Sequence, residues 1–164
     1  MSTTTKAGQY QDTRIDVKLV LSALWIAMLI VFAYVDIFGF LRADVLDAAL
    51  DGKVAVTGIA IDQMFLAFTS VYILIPTLMA LLSLVLRPRV NRMVNIVVAL
   101  VYAVSIIASC IGEGWVYYLL GSGVEVVLLV AIVRTAWTWP KETPTTSTTG
   151  RGATPHNVHH AAQS

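Results

Sequence analysis

Four nearly uninterrupted apolar stretches, 17–40, 64–86, 93–112 and 115–139, alternate along the chain with polar segments. Each is long enough to cross the ~30 Å hydrocarbon core of a bilayer, which takes ~20 helical residues. A helix that is hydrophobic all round is buried in a large core or surrounded by lipid. A chain of 164 residues has no large core to offer. The pattern therefore predicts an all-α, antiparallel up-down four-helix transmembrane bundle with disordered termini. Three parts follow: a mobile N-terminal arm over 1–14, a four-helix domain over 15–140, and a disordered tail over 141–164.

The connections carry their own signals. The first, 41–62, is the longest. Val45, Leu46, Ala49 and Leu50 recur at helical spacing within it, which suits a short helix lying at the interface, with Gly52 as its stop. Residues 54–61 then read as short extended segments around Gly58, either a small hairpin or an irregular loop. The second connection, 87–92, is a tight basic turn, which makes spans two and three antiparallel neighbours. Pro76 lies in the middle of span two, where it removes a backbone donor and kinks the helix. Neighbouring helices or hydroxyl side chains must repair that loss in lipid, and Thr77 and Ser83 are the local candidates. In span three Ala99 and Ala103 lie four apart, as do Ser105 and Ser109, a spacing that lets helices approach closely. Gly121 precedes Glu125 by one turn on the same face of span four, and Trp137 and Trp139 close that span as an interfacial belt.

Composition agrees with a lipid solvent. The chain is 57% hydrophobic and 13% charged, about half the charged fraction usual in soluble domains. Its net charge of +1 gives no basic field for nucleic acid. A single cysteine, Cys110, excludes an intrachain disulfide and a paired-thiol redox centre. The first apolar stretch is longer than the roughly 7–15 residues of a signal-peptide core and lacks a small-x-small cleavage site after it, so it reads as a retained span.

The charges also orient the bundle. Nine of the eleven Lys and Arg residues lie in the N-terminal arm (Lys6, Arg14, Lys18), the second connection (Arg87, Arg89, Arg92), and the last span's end with the tail (Arg134, Lys141, Arg151). Arg42 and Lys53 lie in the first connection, diluted by Asp44, Asp47, Asp51 and Asp62. The third connection, around Glu113, has no basic residue. Positive residues stay on the cytoplasmic side, so both termini and the 87–92 turn are expected there, and the 41–62 loop faces outward.

Two acids lie where charge is unfavourable. Glu125 falls ~15 Å below the outer end of span four at ~1.5 Å per residue. A carboxylate at the bilayer centre is disfavoured by at least ~2.5–3.5 kcal/mol, so its side chain is expected to face the bundle. Tyr72, Tyr102 and Ser105 reach a similar depth on other spans. Asp36 lies one turn inside the outer end of span one, near Tyr118 and Ser122 of the oppositely running span four. Its simplest role is to bond to those groups or to the first turn of the outer loop. Together Asp36 as mouth and Glu125 as floor would make an acidic, outward-facing interior able to bind or move a small solute or protons. The bland alternative for Glu125 is a carboxyl that hydrogen-bonds neighbouring helices. Asn95 is expected to cap or cross-link helices, and Arg134 to extend its charge to the interface. His156, His159 and His160 read as part of a solvated tail. No metal cluster, nucleophile–base pair or cofactor motif is evident, so a membrane-embedded enzyme ranks below a solute-binding protein and below an accessory subunit. The partners implied are the lipid bilayer, and either a second copy of the chain or another membrane protein.

Several of these residues fall in an order that resembles a family of small four-span bacterial membrane proteins known only as a domain of unknown function. They are Leu21-Ser-Ala-Leu-Trp25-Ile and Tyr34-Val-Asp36-Ile in span one, Ile75-Pro76 in span two, and Asn91-Arg92-Met-Val-Asn95-Ile opening span three. Glu125 and Ala136-Trp137-Thr138-Trp139 complete the set in span four. The resemblance covers about residues 15–140. It implies a multi-pass protein of the bacterial cytoplasmic membrane and a four-helix bundle, and it brings no established activity or catalytic residue.

Overall fold

The computed structural model describes residues 15–139, so the N-terminal arm, the tail and the three histidines lie outside the described residues. Among them the chain forms five helices: α1 (Val17–Gly39), α2 (Ala43–Leu50), α3 (Gln63–Val85), α4 (Pro88–Ser109) and α5 (Val116–Trp137). The four long ones make an antiparallel bundle, and each is long and apolar enough to cross a membrane. Helix α1 packs against α3 and α5, and α4 packs against α5.

Local chemistry sets the helix ends. Asp16 accepts from the Lys18 backbone N–H at 2.7 Å, and Asp62 accepts from that of Phe65 at 2.8 Å. Each satisfies one of the donors a helix start leaves free. Pro88 opens α4, where its fixed φ suits the first turn and its missing N–H is no loss. That moves the third span from the expected 93–112 to Pro88–Ser109. Arg89 and Arg92 lie within the first helical turns and not in a loop. Glycine with φ of 86° at Gly112 lets the chain leave α4.

The loop between α1 and α3 holds the expected short helix, α2, followed by Gly52 with φ of 70°. A single antiparallel bridge pairs Lys53 with Ala60 around Gly58, whose φ is 66°. It is a minimal hairpin, with Val54 N–H donating to Ile59 at 2.9 Å. The loop is tied down by Arg42. Its guanidinium reaches Asp44 at 2.6 Å and Glu113 at 3.1 Å, and lies 4.6 Å over the Trp115 ring. Glu113 in turn accepts from the backbone N–H groups of Gly114 and Trp115.

At the opposite end Lys18 donates to the Leu84 carbonyl at 3.2 Å, and Arg92 lies 5.2 Å over the Trp137 ring. The interior between the two ends is narrow: Leu21, Trp25, Met28, Ala99, Leu129, Ile132 and Ala136 are buried. Ala99 thus faces inward and is not part of an exposed small-residue row. The lateral surface is a belt of exposed aliphatic side chains on every long helix, joined by Phe38 on α1 and Phe68 on α3.

Helices α3 and α4 share the shortest connection yet pack less closely than α1 with α3, α1 with α5 or α4 with α5. Aromatic side chains bridge the space between them. The Tyr72 and Tyr102 rings lie 4.7 Å apart, and Trp25 meets Tyr102 edge-on at 6.4 Å. The Tyr102 hydroxyl donates to the Tyr72 backbone carbonyl. That carbonyl is four residues before Pro76, so it is the one deprived of its helical donor. The repair comes from a neighbouring helix and not from the local candidates. Thr77 and Ser83 instead donate to Ile73 and Met79, at 2.9 and 2.7 Å.

Candidate functional site

The interior has two polar tiers, one sealed and one open. The sealed tier lies toward the α3–α4 turn. Trp25 Nε1 donates to Asn95 Oδ1 at 2.7 Å, and Ser83 Oγ lies 3.2 Å from the same oxygen. Asn95 Nδ2 donates to the Asn91 carbonyl and to Asn91 Oδ1 at 2.8 and 2.6 Å. Asn91 Nδ2 donates to the Ser83 carbonyl at 2.6 Å. All these groups are buried, and three helices are cross-linked. Asn95 has the cross-linking role its sequence position suggested. Asn91, one turn earlier on the same face, was the partner to look for.

The open tier is a cavity of about 310 Å³ in the half of the bundle nearest the α1–α3 loop. Asp36 and Phe32 of α1 line it, with Tyr72 of α3 and with Tyr118, Ser122 and Glu125 of α5. Ser105 and Ser109 of α4 complete the polar part of the wall, and Val35 and Ile106 the apolar part. Five of the six residues singled out from the sequence therefore meet at one cavity. The sixth, Tyr102, does not line it; its hydroxyl is committed to the Tyr72 carbonyl.

Two contacts order the hydroxyl groups. Tyr72 Oη and Ser105 Oγ lie 2.7 Å apart, and Tyr118 Oη donates to Ser109 Oγ at 3.0 Å. Tyr118 is thus not the partner expected for Asp36, whose carboxylate makes no hydrogen bond among the described residues. The Tyr118 hydroxyl is committed instead to Ser109, the last residue of α4.

Glu125 is 2% exposed, and no described group donates to its Oε1. The inter-helix bonding that would make it a mere cross-link is not formed. Gly121 explains how it comes to line the cavity. A Cβ at that position would collide with the Val35 side chain, so only glycine lets α1 and α5 close to this distance. The close approach fixes the rotation of α5 that turns Glu125 inward. No group of three or more His, Cys, Asp or Glu residues comes together among the described residues.

Outside the bundle, the ion-paired loop shows the ordinary consequences of pairing. The Arg42 hydrogen bond holds the Asp44 carboxyl below its usual range. For Glu113 burial pushes upward, but the Arg42 hydrogen bond and the backbone N–H of Trp115 together hold it below its ordinary value.

Over residues 9–146 the chain matches the family of unknown function DUF6326, and it belongs to that family. No curated protein and no solved structure matches it.

Proposed function

We infer that the chain is a multi-pass integral membrane protein that holds a small polar solute in the cavity between α1, α3, α4 and α5. The lateral belt of exposed apolar side chains on four long helices supports a lipid solvent. The distribution of Lys and Arg supports cytoplasmic termini, with the cavity on the outward half. The sequence resemblance supports a bacterial cytoplasmic membrane. One observation carries the solute reading: a carboxyl nine-tenths buried opens on a cavity, and its Oε1 has no donor among the described residues. An isolated ionisable group inside a membrane protein marks a functional site by default, because its desolvation is too unfavourable to be kept for packing alone. A row of exposed small residues would have favoured an accessory subunit, but Ala99 is fully buried within the bundle.

The test is solvent access. Ser122→Cys in a Cys110→Ser background places one thiol on the cavity wall. A membrane-impermeant thiol reagent added outside intact cells or right-side-out vesicles labels it, and reagent confined to the inside does not. Failure to label from either side removes the solute-binding reading. Labelling from inside alone reverses the orientation.

A further inference from the structure

We propose that the solute is a short linear diammonium compound, one ammonium at Glu125 and the other at Asp36. The inference rests on the solute-binding reading and narrows it to a ligand class.

Charge comes first. The cavity wall carries two carboxyls and no Lys, Arg or His. Glu125 is buried with no donor to its Oε1 among the described residues, so it asks for a cationic or hydrogen-bond-donating guest. An anion would meet two acids and no compensating base. An inorganic divalent ion fits poorly as well. Calcium takes about 6–8 oxygen ligands within about 2.6 Å, and here the two carboxylates lie on different helices and at different depths, with only serine and tyrosine hydroxyls between them.

Spacing comes second. Gly121 lies against Val35 on antiparallel helices. Glu125, one turn beyond Gly121, is then level with the residue one turn before Val35. At ~1.5 Å of rise per residue the two acids are offset by about 7 Å along the bundle. Two ammonium groups separated by four or five methylenes match that offset, so one guest can meet each acid at its own depth. The wall between the acids suits the methylene stem and its ends. It presents the rings of Phe32 and Tyr72, 6.1 Å apart, and the hydroxyls of Ser105 and Ser122. Aromatic faces attract ammonium groups, and hydroxyl oxygens accept their remaining N–H bonds.

The experiment is calorimetric titration of the purified full chain in nanodiscs at neutral pH. The probes are 1,4-diaminobutane, n-butylamine, 1,4-butanediol and succinate. The diamine is expected to bind in a 1:1 ratio, and butylamine at least about tenfold more weakly, the worth of one lost charge-assisted contact. Glu125→Gln abolishes binding of both amines. Asp36→Asn, at the exposed mouth where folding is not at stake, reduces the diamine to the affinity of butylamine and leaves butylamine unchanged. Equal binding of butanediol or succinate overturns the ligand class and leaves solute binding standing. Equal binding of the two amines overturns the two-point arrangement. No binding of any probe by a chain whose Ser122→Cys thiol labels also overturns the ligand class alone. No binding together with no labelling overturns both readings.

Discussion

The Tyr102 hydroxyl donates to the backbone carbonyl of Tyr72, the one carbonyl of α3 that Pro76 leaves without a helical donor. A proline that would weaken an isolated helix is thereby turned into a further link between α3 and α4, beside those that Ser83 makes with Asn91 and Asn95. The same contact steadies one wall of the cavity, because the Tyr72 ring that rests on Tyr102 also carries the hydroxyl facing Ser105.

This relationship predicts a coupling. Tyr102→Phe removes the donor and keeps the ring, and should lower stability by about 1–2 kcal/mol, the usual penalty for a buried carbonyl left unpaired. Pro76→Ala restores the helical N–H. In that background Tyr102→Phe should be close to neutral. Unfolding in mixed micelles, read as a double-mutant cycle, measures the difference. Additive effects would show that the hydroxyl and the proline act independently.

Gly121→Ala should separate α1 from α5, since its methyl meets the Val35 side chain. Overpacking of this kind lowers stability by about 1–3 kcal/mol. Val35→Ala in the same chain should recover most of the loss. Thermal unfolding of the single and double variants in detergent gives the comparison.

Asn95→Ala opens the sealed tier. It leaves Trp25 Nε1 without an acceptor and breaks the contact to Asn91. The expected loss is about 1–3 kcal/mol. A red or blue displacement of Trp25 fluorescence should accompany it. Because the cavity lies in the other half, labelling of a Ser122→Cys thiol should persist in the folded fraction.

The loop fastening depends on pH with a definite sign. Glu113 is held below its ordinary value in the folded chain, chiefly by Arg42 against the opposing effect of burial. Its contribution is therefore present above the unfolded-state value and is lost as pH falls through the lower folded-state value, in the range below about pH 4. Amide exchange in the α1–α3 loop should rise there faster than in α4 or α5. Arg42→Gln should show that faster exchange already at neutral pH, with little further change on acidification.

How far the sequence reached follows from what hydropathy measures. The four long helices were legible because lipid-facing segments are apolar throughout. For the same reason the rotation of each helix was not, since such a helix has no polar stripe to mark an outer face. Asp36 and Glu125 were readable as inward-facing because charge is unfavourable in lipid, and Tyr72, Tyr118 and Ser122 followed by matching depth on antiparallel spans. Tyr102 could not be sorted from Tyr72 in this way: the two share a depth, and only the turn of α4 about its axis decides which hydroxyl meets a carbonyl and which lines the cavity. The start of α4 was misplaced because Arg89 and Arg92 interrupt the apolar run, although Pro88 marked the true boundary.

The buried asparagine tier makes this molecule a cup, not a tube. On the membrane reading proposed above, anything that settles beside Glu125 has Trp25 bonded to Asn95, and Tyr102 bonded to Tyr72, beneath it, and those bonds must part before the far side can be reached. Passage through a single chain would accordingly proceed by discrete rearrangement, one guest per cycle, and a continuous ionic current is not what this architecture delivers.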